Sequence, residues 1–408
     1  MNQTSTGPRI LIYSHDTFGL GHLRRCRAIA HALVEEHKHL SVLILSGSPI
    51  IGSFDFRARV DFVRIPGVIK LRNGAYTSLG LHIDTEQTLE MRASIILHTA
   101  RIFGPDIFLV DKEPLGLRGE VGETLAMLKA RGCRLVLGLR DVLDEPRLLR
   151  PEWRRKNVFP ALRDLYDDIW VYGLPQICDP LEGIDAPATV RRKVTFTGYL
   201  PRRVPANAPH AGAGDEIEAP YLLVTAGGGG DGEALMDWVL GAYECSAPPP
   251  WNARLVFGPF LNPECQARFH ERIARLPRVS AVVFDAYIES LMAGAAGVVA
   301  MGGYNTFCEI LSLDKRALIV PRQVPRMEQY IRASRARDLG LVSMLIDDGR
   351  RDPFAMATAL RHLPQQRPPS ETVVPGLLDG FVNLNRLVAL SLAGRQKREG
   401  VAPQRQSG

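Results

Sequence analysis

A histidine and a carboxylate flank a glycine-rich turn near the start of the chain. Asp16 opens and His22 closes the run DTFGLGH, one residue after the apolar ILIYS. An imidazole, with an ordinary pKa of about 6.5, suits a general base at neutral pH, and Asp16 is the second candidate for the same proton. Two further glycine runs follow the same plan of strand, turn and helix. One is AGGGGDG, with Gly227, Gly228 and Gly229. The other is MGGYNTFCE, where Gly302 and Gly303 end a strand, a helix starts near Asn305 or Thr306, and Glu309 lies a turn further on. Glycines let a strand turn sharply into a helix whose first N–H groups are free, and such an end attracts a diphosphate. Glu309 would then accept hydrogen bonds from a ribose diol. The same spacing also fits a plain capping box with Asn305 or Thr306 as the cap.

Several function classes are excluded by what is missing. There is no GxxxxGK[ST], and neither of the first two glycine turns is followed, ~20 residues on, by the acidic residue of a dinucleotide site. Six dispersed cysteines without a CxxC argue against a disulfide framework or a zinc site. No apolar run approaches the ~18 to 20 residues that span a bilayer. The opening MNQTSTGPR lacks a secretory h-region, so the expectation is a cytoplasmic protein. Net charge is +6. All of the excess lies before residue 208, where 29 Lys and Arg face 23 Asp and Glu; beyond it the count is 21 against 21. No nucleic-acid motif accompanies the basic half, which points to an anionic acceptor or membrane surface rather than nucleic acid.

The elements that must hold these turns alternate regularly. Short, continuously apolar runs at 9–14, 41–45, 60–65, 107–110, 134–137, 169–172 and 193–197 read as strands, with helices between several of them, notably 23–36 and 119–131. A second series runs through 221–225, 254–257, 281–284, 297–300, 317–320 and 341–346. Such runs, separated by helices, indicate parallel sheets covered on both faces. The fold class is therefore α/β, two Rossmann-like doubly wound domains. The expected boundaries are a first domain over 1–203, a Pro-, Ala- and Gly-rich linker over 204–219, a second domain over 220–375, a terminal helix over 376–393 that returns toward the first domain, and a disordered tail over 394–408.

Taken together, four motifs carry a family resemblance: TFGLGH at 17–22, GGGGDG at 227–232, GGYNTFCE at 302–309 and PRQVPRMEQY at 321–330, with TGYLPR at 197–202 closing the first half. In order and separation they resemble the GT-B nucleotide-sugar glycosyltransferases facing a central cleft, most closely the MurG-type, family 28-like group. That group includes the enzyme adding N-acetylglucosamine to the lipid-linked muramyl-pentapeptide precursor and the plant galactolipid synthases. The resemblance covers nearly all of the chain.

It implies an inverting, metal-independent hexosyltransferase acting with a nucleotide-sugar donor, UDP-linked, and no other cofactor. No DxD-like pair stands at a strand end to carry a metal. By resemblance, Glu309 holds the ribose, the backbone of Gly302, Gly303 and Thr306 cradles the diphosphate, Glu328 and Gln329 meet the hexose, and the strand end around Asp285, Tyr287 and Ile288 receives the base. His22 matches a loop histidine suspected of helping catalysis. Gly19, Gly21, Arg24, Arg140 and Asp141 are expected on the acceptor side. This chain departs from the group in three places: Glu328 stands for the usual glutamine, Tyr304 for a small residue, and Arg24 with Arg25 for an apolar residue and proline.

The acceptor is expected to be a lipid-linked or other glycan. The basic stretch 147–166, RLLRPEWRRKNVFPALRDLY, has two readings: a surface that touches anionic membrane while inserting its apolar residues, or a domain-packing helix. A nucleotide-sugar 2-epimerase of the same architecture, with Glu328, Asp231 and His22 around the sugar, and a non-catalytic nucleotide-sugar binding protein are the competing functions.

Overall fold

The computed structural model describes residues 7–16, 21–70, 76–205, 220–228 and 230–399, apart from the side chains of Lys70 and residues 395–399. Gly19, Gly229, most of the expected linker and the end of the expected tail lie outside the described residues.

The first half holds strands β1 (Arg9–Ser14), β2 (Ser41–Ser46), β3 (Val60–Arg64), β4 (Val68–Lys70), β5 (Tyr76–Ser78), β6 (Ile107–Asp111), β7 (Arg134–Arg140), β8 (Asp168–Tyr172) and β9 (Val194–Phe196). Its helices are α1 (Gly21–Glu36), α2 (Thr85–Phe103), α3 (Gly122–Ala130), α4 (Pro146–Arg155), α5 (Val158–Asp164) and α6 (Ala188–Arg191). Seven of the strands form a parallel sheet in the order β3-β2-β1-β6-β7-β8-β9, while β4 and β5 pair as a separate antiparallel hairpin.

The second half holds β10 (Tyr221–Thr225), β11 (Asn252–Val256), β12 (Val279–Val282), β13 (Gly297–Ala300), β14 (Ala317–Ile319) and β15 (Ser343–Met344). They form a parallel sheet in the order β12-β11-β10-β13-β14-β15. Helices α7 (Glu233–Glu244), α8 (Pro263–Ile273), α9 (Ile288–Gly294), α10 (Tyr304–Ser312), α11 (Glu328–Asp338) and α12 (Pro353–His362) accompany it, and α13 (Gly380–Glu399) closes the described chain. The central strands β6 and β10 are buried at every residue, which is why their sequences IFLVD and YLLVT show no alternation.

Some elements differ from the sequence expectation. The last helix starts at Gly380 rather than 376 and runs to Glu399, the expected 341–346 strand shrinks to Ser343–Met344, and α3 starts at Gly122. Helix α2 has no counterpart in the sequence reading. Its buried stripe is Thr88, Arg92, Ile96 and Ala100, regular in spacing but mixed in polarity. Arg92 is tolerated there because its Nε and Nη2 reach Glu120, at 2.6 Å each.

One hydrophobic cluster runs through both halves, from Ile10 and Ile29 through Tyr199 and Phe307 to Leu291 and Ile319. Tyr199 is its joint, with ring centroids 5.1 Å from Phe307 and 6.0 Å from Tyr304. Helix α13 returns across this joint to pack on α1, burying Leu384 and Val388.

Candidate active site

In each sheet the strand order reverses at one place, between β1 and β6 in the first and between β10 and β13 in the second. Ligands of doubly wound folds bind outside the carboxyl ends of the strands at such a reversal. Both reversals open onto one cavity of about 300 Å3 between the halves. Its lining includes His22, Arg24, Arg25 and Arg140 from the first half, and Gly227, Gly228, Asp285, Ile288, Gly302, Gly303, Thr306, Glu309, Glu328 and Gln329 from the second.

On the first wall, Nδ1 of His22 lies 2.5 Å from Oδ2 of Asp111, the last residue of β6. Arg25, one turn along α1, donates to both oxygens of the same carboxylate at 2.7 Å. Burial pushes the Asp111 carboxyl up, but the Arg25 guanidinium and His22 outweigh it and hold Asp111 below the usual carboxylate range. An ionised carboxylate only accepts, so Nδ1 of His22 carries the hydrogen and Nε2 keeps its lone pair. Burial lowers the His22 pKa to about 4 despite the pull of Asp111. The imidazole is thus neutral at pH 7 and held in the tautomer that a base requires.

Asp16 does not share this role. It is buried, accepts the Leu23 N–H at 3.1 Å and the Ser46 hydroxyl at 2.6 Å, and does not line the cavity. Its carboxylate anchors the first turn of α1, the element that positions His22.

On the opposite wall, α10 begins after Gly303, and no side chain caps it. Asn305 and Thr306, the expected caps, lie inside the first turn instead. The Asn305 amide points away across the cleft, donating to the Gly21 carbonyl at 3.0 Å and accepting from Arg202 at 3.0 Å. The plain capping box is therefore not formed, and among the described residues no side chain accepts from the first-turn amides. Gly302 sits at φ 79°, and a Cβ there would come within 2.8 Å of Ile319. The turn that aims α10 at the cavity thus needs glycine.

Glu309 is 1% exposed. Its partner is Arg24, which reaches across the cleft from the first half: one Nη2 bridges Glu309 at 2.7 Å and Glu289 at 2.6 Å. Burial raises the Glu309 pKa, and Arg24 opposes that rise. Glu328 is clasped by Arg322, which also pairs with Asp231, while the Gln329 side chain accepts the Arg322 backbone N–H at 3.0 Å. Asp285 accepts the Tyr287 N–H at 2.6 Å, and Tyr287, unlike Asp285 and Ile288, does not line the cavity.

Asp141 also departs from its expected place. It is fully buried, bonded to Arg332 of α11 at 2.6 and 2.7 Å and to the Tyr199 hydroxyl at 2.6 Å, so it ties the halves together and offers nothing to an acceptor. In the stretch 147–166, Leu149, Trp153, Val158 and Leu162 pack into the first-half core, while Leu148 is exposed. Among the described residues, no helix is long and apolar enough to cross a membrane.

Sequence reasoning missed Asp111, Arg25 as its clasp, and Arg322. Asp111 had one available signal: it is the acidic end of an otherwise apolar central strand, where a doubly wound fold puts its chemistry.

No family model matches the chain, and no curated protein matches it by sequence. Solved structures do match in fold. A UDP-glucosyltransferase from Polygonum tinctorium capable of glucosylating indoxyl superposes with a TM-score of 0.64 at 12% identity, over 96% of this chain and 100% of its own. A putative UDP-N-acetylglucosamine 2-epimerase from Listeria monocytogenes gives 0.63 at 13% identity, over 96% and 97%. MurG from Acinetobacter baumannii gives 0.57 at 12%, over 95% and 99%. The chain has the GT-B fold, two Rossmann-like domains facing a cleft, and resembles the MurG-type glycosyltransferases in architecture.

Proposed function

We propose that this protein is a glycosyltransferase that moves a hexose from a nucleoside diphosphate sugar, UDP-linked, to an acceptor hydroxyl, with inversion and without a metal ion. The observation that supports it is the pairing of the His22 and Asp111 dyad with the uncapped end of α10 across one cavity. The diphosphate would rest on the amides of Gly302, Gly303 and Thr306, whose partial positive charge stabilises the departing group. Glu309 would take the ribose diol, with Arg24 giving way or turning to the phosphates. Glu328 and Gln329 would meet the hexose, and the base would lie against the backbone from Asp285 to Ile288. Nε2 of His22 takes the acceptor proton as the acceptor oxygen bonds to the anomeric carbon and the bond to the diphosphate breaks. Asp111 then steadies the imidazolium.

Titration calorimetry with UDP, GDP and TDP tests the donor side, and binding of none of them would overturn the reading. His22→Ala should lower kcat at least ~100-fold, the lower range for losing a general base. A raised KM with normal kcat would instead make His22 a binding residue.

A second reading, a nucleotide-sugar 2-epimerase, is favoured by one feature. Arg322 gathers the carboxylates of Asp231 and Glu328 beside the expected sugar position. Incubation with UDP-N-acetyl sugars and no acceptor separates the two, because only an epimerase yields an epimeric product there.

A further inference from the structure

Among the described residues, two cations beside the carboxyl ends of neighbouring first-half strands form no ion pair. Lys112 follows Asp111 beyond the end of β6, and Arg140 ends the neighbouring strand β7. The basic groups around them are all engaged: Arg25 with Asp111, Arg332 with Asp141, Arg326 with Asp144 and Glu152, Lys156 with Glu113 and Glu152. Among the described residues, the side chains of Lys112 and Arg140 make no hydrogen bond or ion pair, and Nε of Arg140 is buried without a partner. A buried, unpaired guanidinium nitrogen is costly and in native proteins calls for an explanation.

The backbone adds an independent sign. Lys112 stands at φ 68°, a left-handed conformation that a residue with a Cβ adopts at a cost, held by its N–H to the Gly138 carbonyl at 2.8 Å. Such outliers gather at functional sites, and this one adjoins the residue that orients His22.

We propose that Lys112 and Arg140 receive an oxyanion, phosphate or carboxylate, carried by the acceptor near the hydroxyl that His22 deprotonates. The word acceptor rests on the glycosyl-transfer reading above, whereas the anion site does not. The donor diphosphate has its own cradle on α10, across the cavity. Lys112 belongs to the His22 side, since it directly follows Asp111, whose carboxylate lies 2.5 Å from His22. Burial, then Arg140, hold the Lys112 ammonium down to about 8, with Arg326 adding to this and Glu113 and Asp111 opposing it. Burial, then Arg25, hold Arg140 down to about 10, with Glu328 and Asp141 opposing them. An arriving oxyanion relieves both, so its binding weakens as the pH rises through about 8 and Lys112 loses its proton. The groups facing Lys112 are thus Arg140, Arg326, His15 and His22 on one side of the charge balance and Glu113, Asp111 and Glu152 on the other.

The test is calorimetry on the full chain, with and without saturating UDP, using inorganic phosphate, a hexose 6-phosphate, a hexuronate and vesicles containing phosphatidic acid. At least one probe should bind with UDP present. Lys112→Met and Arg140→Met should each weaken it at least ~10-fold, the scale of one charge-assisted hydrogen bond. Lys112→Arg should retain binding, and UDP affinity of Lys112→Met should stay unchanged. Preference for the hexose 6-phosphate or the hexuronate marks a soluble anionic acceptor; preference for vesicles marks a lipid-linked one. The proposal is overturned if no probe binds, or if binding is indifferent to both methionine variants. Oxyanion binding that depends on Lys112 in a protein that ignores every nucleotide would leave this site standing and remove the donor reading instead.

Discussion

Asp111 orients His22 from 89 residues further along the chain, so the dyad exists only after the sheet has set β6 beside β1. Asp111→Asn keeps the shape but offers Nδ1 an amide, which stabilises an imidazolium far less. Turnover should fall ~100-fold or more with little change in nucleotide affinity, read from kcat beside a UDP titration. The pH profile is a second check on the same pair. With the His22 pKa lowered to about 4, the base stays unprotonated above that value, so the acidic limb of kcat/KM should lie near pH 4 rather than 6.5. A limb near 6.5 would mean that the burial holding His22 neutral is lost in the working enzyme. His22 was legible because a histidine behind a glycine turn is a local pattern. Asp111 was not, because its partner is brought to it by topology alone.

At the scale of elements, α10 links a short sequence to a ligand site. Its glycines and Glu309 were readable in order, but spacing cannot tell a capped helix from an open one. The difference lies in where Asn305 points, and that depends on Gly21 in the other half. If Glu309 holds the ribose, wild-type protein should prefer UDP over 2′-deoxy-UDP, and Glu309→Gln should weaken UDP binding ~10-fold or more and erase the preference. Equal binding of both nucleotides to wild type would remove the assignment. The strands were legible because continuously apolar runs have few other homes. Helix α2 and the 147–166 stretch were not, for opposite reasons. In α2 a buried arginine interrupts the apolar stripe; in the 147–166 stretch, exposed arginines disguise a helix pair that buries Leu149, Trp153, Val158 and Leu162.

Across the whole molecule, the halves are tied at several points: Arg24 to Glu289 and Glu309, Asn305 to Gly21, Arg332 to Asp141, and Arg326 to Asp144 and Glu152. Arg24 and Asn305 line the cleft, while Arg332 and Asp141 lie buried behind it. Closure on substrate is therefore expected to exchange the former and pivot near the latter. Helix α13 fastens the back of the joint: Tyr199 donates to the Leu377 carbonyl at 2.8 Å, the Gly380 N–H returns to the Tyr199 carbonyl at 3.1 Å, and Asn383 reaches the Thr197 carbonyl at 2.8 Å. Leu384→Ala should lower the unfolding free energy by about 2–5 kcal/mol, seen as an earlier denaturant midpoint of the first domain.

Because the chain leaves the first half near Tyr199 and comes home at Gly380, the second half is an insertion rather than an appendage. Anyone grafting a foreign sugar-nucleotide module onto this scaffold should cut at both crossings and keep the terminal helix with its host. A chimera joined only at the linker would import a helix shaped for someone else's surface.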